Sequence, residues 1–184
     1  MIKVLGIAGS LREESFNKYL LKNAVDLCPD DVELEVFDIK DIPIYNQDEE
    51  MNPPEIIKIF KEKIKNADAI LFATPEYNYS IPGVLKNAID WASRPYGDNS
   101  WDGKPVAIMG ASVAMTGTAR AQYHLRQVFV YLNMFPLNRP EVMVPSAADK
   151  FDYEGNLNDE KSREKITELL KALADWTVKL QNKK

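Results

Sequence analysis

Short apolar runs alternate along this chain with stripes of period 3.6, and the alternation predicts five units of strand followed by helix. Val4-Leu5-Gly6-Ile7-Ala8 reads as a buried strand, after which Phe16, Leu20, Ala24 and Leu27 share one helical face. Val32-Glu33-Leu34-Glu35-Val36 alternates apolar with charged positions, as a strand at a sheet edge does. Pro53 and Pro54 suit the start of the next helix, whose inward stripe is Ile56, Ile57, Phe60 and Ile64. Ala69-Ile70-Leu71-Phe72-Ala73-Thr74 is a central strand covered on both faces. Ser80 is read as the cap of the following helix, with Pro82 in its first turn and Val84, Leu85, Ala88 and Ile89 turned inward. Val106-Ala107-Ile108-Met109-Gly110 is a fourth strand, leading to a helix that runs to about Asn133, and Glu141-Val142-Met143-Val144 is a short fifth strand. The last helix carries Ile166, Leu169, Leu170, Leu173, Trp176, Thr177 and Leu180 on one stripe, with Asp159 and Glu160 at its start.

Strands that alternate with helices demand right-handed crossovers and a mostly parallel sheet. An alternating second strand at the edge, beside continuous first, third and fourth strands, predicts an α/β flavodoxin-like three-layer sandwich with a five-stranded sheet in the order 2-1-3-4-5. With 184 residues, 45% of them hydrophobic, residues 1–184 are expected to form a single domain around a substantial core. The formal charge of −5 offers no basic surface to nucleic acid, and Lys183-Lys184 is too short for a basic arm and reads as a solvated tail. No apolar stretch approaches the roughly 20 residues that span a bilayer, and no leader precedes the first strand, so the expectation is a cytoplasmic protein without a membrane partner.

Cys28 is the one cysteine, which excludes an internal disulfide and a multi-cysteine metal site; beside Leu27 it reads as a packed thiol. His124 is the one histidine and lies inside a helix, where it reads as a surface or interface residue. Triads, histidine acid–base chemistry and histidine metal sites are therefore poorly supplied, and no metal is expected. The chemistry is left to a bound cofactor.

Open α/β sheets bind ligands at the carboxyl ends of their strands, and three loops converge there: 9–17, 74–83 and 111–118. The first joins strand to helix through Gly9-Ser10-Leu11-Arg12-Glu13-Glu14-Ser15-Phe16-Asn17. A phosphate there meets unpaired N–H groups and the helix dipole, with Ser10, Ser15 and Asn17 as neutral donors and Arg12 as a forked cation. The loop has neither the Gly-Lys-Ser/Thr ending of a P-loop nor a G-x-G-x-x-G fingerprint, so one phosphate fits better than two or three. The second loop pairs Pro75 and Gly83 with an aromatic at Tyr77 and an amide at Asn78, and the third is built from small residues that include Ser112 and Gly117. A ligand with a phosphate at one end and a flat, hydrogen-bonding ring at the other matches all three, and flavin mononucleotide (FMN) is such a ligand. Each loop alone also reads as an ordinary turn.

Gly9-Ser10-x-Arg12-x-x-Ser15-x-Asn17, Pro75-Glu76-Tyr77-Asn78-x-Ser80-x-Pro82-Gly83-x-Leu85-Lys86-Asn87-Ala88-Ile89-Asp90-Trp91 and Arg120-Ala121-Gln122 resemble the NADPH-dependent FMN reductase family, and within it the chromate, quinone and azo-dye reductases. The likeness continues through Gly103-Lys104-Pro105-Val106 and Phe151-Asp152-x-x-Gly155. It implies an NAD(P)H-dependent enzyme with bound FMN, passing hydride from NADPH or NADH to a quinone, flavin, azo or chromate acceptor in two half-reactions. Ser10, Arg12, Ser15 and Asn17 would then bind the FMN phosphate. Pro75, Glu76, Tyr77 and Asn78 would line the isoalloxazine largely through backbone, with Ser112 near the pyrimidine edge. The resemblance also implies a homodimer or homotetramer in which a second subunit covers the flavin. Ala114 and Thr116 stand about where the family commonly has glycine, and Arg94, Lys104 and Arg120 are the cations considered for a 2′-phosphate. The rival readings are a single-electron carrier of the same fold without an NAD(P)H site, and a sensing protein that kept the fold but lost redox chemistry.

Overall fold

The computed structural model describes residues 1–182; the Lys183-Lys184 tail lies outside them. Strands β1 (Ile2–Ala8), β2 (Val32–Phe37), β3 (Ala69–Ala73), β4 (Pro105–Ala111), β5 (Phe135–Pro136) and β6 (Val142–Val144) form one parallel sheet. Its order is β2-β1-β3-β4-β5, with β6 also pairing β4. Helices α1 (Phe16–Asp26) and α5 (Glu160–Gln181) cover one face, and α2 (Glu55–Asn66), α3 (Gly83–Ala92) and α4 (Ala119–Leu132) cover the other.

The order agrees with the sequence reading, and β2 is the alternating edge strand, with Val32 and Leu34 buried and Glu33 and Glu35 exposed. The strand expected at 141–144 is β6, and a two-residue strand that was not anticipated, β5, precedes it. β5 pairs the start of β4 through Pro105↔Phe135 and Val106↔Pro136, and β6 pairs its end through Met109↔Val142 and Ala111↔Val144. Pro136 and Pro140 lack the N–H that a continuous ladder requires, so the edge breaks between them and the sheet has six strands.

Each face of the sheet has its own apolar layer. Leu20, Leu21, Leu71, Met109, Leu169 and Leu173 meet on the α1/α5 side, while Phe60, Phe72, Trp101, Leu125 and Phe129 meet on the other. Strands β1, β3 and β4 are buried almost end to end, so their continuous apolar sequences follow from being covered twice. The polar segment 41–52 is anchored by α3: Asn87 and Trp91 both donate to the Pro43 carbonyl, at 2.7 and 2.8 Å, and Tyr45 N–H donates to Asn87 Oδ1. Ser80 does not cap α3. Pro82 occupies the cap position without a side-chain bond, because the backbone is still extended there and the helix begins only at Gly83. Cys28 Sγ donates to the Ala24 carbonyl at 3.3 Å, and burial pushes its thiol above the ordinary value. No helix among the described residues is long and apolar enough to cross a membrane.

Candidate functional site

The carboxyl ends of β1, β3 and β4 are neighbours, and the three loops that leave them form one surface. In the first loop Ser15 has extended backbone and caps α1, its Oγ accepting from the Asn17 N–H at 3.3 Å. Because the hydroxyl accepts in that bond, its own proton is left to donate outward. The Phe16 and Lys18 N–H groups lie in the first turn, where no intrahelical carbonyl reaches them. Ser10 is buried, and its hydroxyl has no partner among the described residues. Arg12 is exposed; it donates to the Glu14 carbonyl, and its guanidinium carbon lies 5.5 Å from the Phe16 ring centroid.

Asn17 has a different task from its neighbours. Its side chain is buried and bonds the backbone of Ala111 in both directions, donating to the carbonyl and accepting from the N–H, each at 2.9 Å. The amide thus ties the first loop to the last residue of β4. This end thus holds a helix start, two nearly buried hydroxyls and the exposed Arg12 guanidinium, an arrangement suited to a phosphate.

In the second loop the Glu76 carboxylate turns away from solvent, its side chain 8% exposed. It accepts from the N–H groups of Arg120 and Ala121, at 3.0 and 3.2 Å, and from Arg120 Nε at 2.5 Å. It therefore neutralises the positive end of α4 and leaves its own backbone to line the site. Asn78 and Tyr79 both have left-handed backbone, with φ of 51° and 64°, in a turn closed by reciprocal Tyr77–Ser80 bonds of 3.0 Å. Such backbone costs about 1–2 kcal/mol for a residue with a side chain.

The third loop is pinned from β6. Ser112 N–H donates to the Val144 carbonyl, its carbonyl accepts from Ala147, and its Oγ accepts from the Ala114 N–H, each at 3.0 Å. Gly117 closes the loop with φ of +52°, and a Cβ there would stand 2.8 Å from the Met143 carbonyl carbon. Thr116, at one of the positions where glycine was anticipated, accepts from Arg120 Nη2 at 3.3 Å. Between the second and third loops lies a cavity of about 510 Å³ lined by Asn78, Tyr79, Ser112, Ala114, Thr116 and Arg120. A helix-start donor set at one end and a cavity with an amide, a phenol and accessible backbone at the other suit FMN.

Of the three cations considered for a 2′-phosphate, the fold brings only Arg120 here. Lys104 precedes β4, at the amino-terminal end of the strands and away from these loops, and donates to the Lys65 and Ala67 carbonyls. Arg94 follows the far end of α3, its guanidinium carbon 4.1 Å from the Tyr96 ring centroid. Sequence reasoning missed the Asn17–Ala111 bracket, the Glu76 cap on α4 and a 2.7 Å contact between Ser80 Oγ and His124 Nδ1. The residue types were in view, but each partner is at least 44 positions away and no local pattern links them.

Fold and site together define a flavodoxin-like α/β protein whose loop 9–17 opens at the switch point of the sheet, where such folds bind their ligands. The chain belongs to the NADPH-dependent FMN reductase family, whose model matches residues 2–149. It is 54% identical to an NAD(P)H-dependent FMN reductase of Pseudomonas aeruginosa over 98% of this chain and 97% of that one. It is 43% identical to an NADPH:quinone oxidoreductase of Arabidopsis thaliana, covering 100% of this chain and 95% of the other. Among solved structures, a flavoenzyme NAD(P)H:(acceptor) oxidoreductase of Paracoccus denitrificans superposes with a TM-score of 0.89 at 38% identity, covering 97% of this chain and 98% of that one. The protein is an oxidoreductase that depends on FMN and NAD(P)H.

Proposed function

We propose that this chain is a quinone-reducing flavoenzyme, in which one open cavity serves first the nicotinamide donor and then the acceptor. The observation that carries the reading is the division of the site into a phosphate cradle at 9–17 and a separate ring cavity between loops 74–83 and 112–118. Relatives named for quinone reduction align over nearly the whole chain, which supports the acceptor class. Bound FMN supplies two-electron chemistry that the side chains here do not.

The residues hold and orient. Ser10, Arg12 and Ser15 donate to the phosphate together with the first-turn N–H groups, while Asn17 keeps the cradle in register with β4. At roughly 1.5–3 kcal/mol per bond to a charged group, three such bonds account for much of the about −8 kcal/mol of a micromolar complex. Backbone of Pro75, Glu76, Tyr77 and Asn78 lines the ring, and Ser112 holds the loop at its polar edge. N–H groups fixed there stabilise negative charge that develops on the ring. Arg120, steadied by Glu76, is the cation placed to meet an anionic part of the donor or acceptor. Tyr123, Val130 and Tyr131 are exposed along α4, which favours a homodimer or homotetramer, and a single partly buried thiol fits a cytoplasmic setting. Azo compounds, free flavin and chromate are further acceptors open to the same exposed ring.

The test is the visible spectrum of the purified protein under anaerobic conditions. A flavin band that NADPH bleaches and a benzoquinone restores, with steady turnover when both are present, is the expected result. A band that NADPH leaves unchanged marks a carrier, and a colourless protein that takes up no FMN marks a sensor.

A further inference from the structure

Asn78 and Tyr79 hold left-handed backbone at the wall of the ring cavity, and neither is glycine. Such a turn persists where its surroundings over-determine it. Helix α4 supplies the restraint through two residues one turn apart. Arg120 places its guanidinium carbon 3.8 Å from the Tyr79 ring centroid, and His124 Nδ1 lies 2.7 Å from Ser80 Oγ. Glu76, at the other end of the turn, bonds the first N–H groups of the same helix.

We propose that Ser80 and His124 form a latch that holds the Tyr77–Ser80 turn against the ring end of the cofactor site, with His124 a positioning residue that acts through Ser80. The inference rests on the reading that this cavity takes the flavin ring. His124 is the chain's one histidine, exposed on α4 and absent from the cavity lining, so its contact is with the turn and not with the ligand. The bond forms with either neutral tautomer: Nδ1 accepts from the hydroxyl when bare and donates to it when protonated. Release of the latch frees Asn78 from the cavity wall but leaves the cradle at 9–17 intact. Ring-end properties should then change while phosphate-end binding does not.

The experiment compares Ser80→Ala, His124→Ala, His124→Asn and the Ser80→Ala/His124→Ala double variant. In ligand-free protein, amide exchange at Tyr77 and Ser80 should rise at least tenfold in His124→Ala and return close to wild type in His124→Asn, whose side chain keeps a polar atom near the Nδ1 position. In FMN-loaded protein, His124→Ala and Ser80→Ala should each shift the flavin absorption bands and slow reduction by NADPH three- to tenfold. FMN dissociation constants should stay within threefold, and the double variant should be no worse than either single one. Unchanged exchange in His124→Ala overturns the latch, as do faster exchange with a wild-type spectrum and rate, additive losses, or a fall in FMN affinity together with melting temperature. The placement of the phosphate at 9–17, and with it of the ring in this cavity, fails on a separate arm: an Arg12→Ala/Ser15→Ala variant that retains full FMN affinity rejects it whatever the exchange result.

Discussion

Asn17 and Ser15, two residues apart, show how one short loop divides its polar groups between the cap of its own helix and a distant strand. Ser15 gives its oxygen to the helix while its proton takes no part in that bond, whereas the Asn17 amide is committed to Ala111, 94 positions away. Arg12 rests against Phe16 and the Glu14 carbonyl, contacts a phosphate can outbid. The Arg12→Ala/Ser15→Ala variant should lose FMN affinity by on the order of 100-fold or more, at about 1.5–3 kcal/mol per bond to a charged group. Equilibrium binding followed by flavin fluorescence measures it. Loss of the Ser15 cap alone should lower stability by about 1 kcal/mol, which urea unfolding separates from the binding effect.

Among the elements, the third loop and α3 make opposite demands on their glycines. Gly117 has left-handed backbone and no room beside Met143, so Gly117→Ala should destabilise by about 2–4 kcal/mol, combining the conformational cost with overpacking against backbone. Gly83 opens α3 with nothing within 4 Å of a would-be Cβ. Gly83→Ala should stabilise by about 0.4–1 kcal/mol by restricting the unfolded chain, and thermal unfolding of the pair reads both signs. A melting temperature raised by Gly117→Ala would contradict the packing of loop 112–118 against β6. Segment 41–52 makes a related point, since it looks irregular in sequence yet is fastened to α3 by Asn87 and Trp91.

At the scale of the whole molecule, paired carboxyls set the acid limit of stability. Burial works against the Asp98 charge, but hydrogen bonds from Lys61 and Lys65 prevail and hold its carboxyl below the ordinary value. Asp152 is lowered by the N–H and side chain of Asn156, and Asp159, the cap of α5, by Ser162. A carboxyl depressed in the folded state contributes stability above its unfolded value of about 3.9 and loses it as pH falls through the lower folded value. The urea midpoint should therefore hold steady from neutral pH to about 5 and decline below about 4, with a shallower decline in Asp98→Asn. The architecture was legible in sequence wherever burial on both faces imposed continuous apolar runs, as in β1, β3 and β4, or where half-burial imposed alternation, as in β2. β6 answers to the expected strand at 141–144, while β5 went unread because a piece of two residues carries no period; the pairing of both is set by the register of β4. The first loop was legible because a strand's end and a helix's start are neighbours along the chain. By itself, then, the sequence determined the sheet order, the loops that leave the carboxyl ends of its central strands and the family's motifs, since local pattern and composition are enough to encode those. Only the tertiary structure decided that Glu76 caps α4, that Ser80 meets His124, that Asn17 brackets Ala111 and that Arg120 alone of three candidate cations reaches the site, because each depends on which loops the packed sheet brings within hydrogen-bond distance.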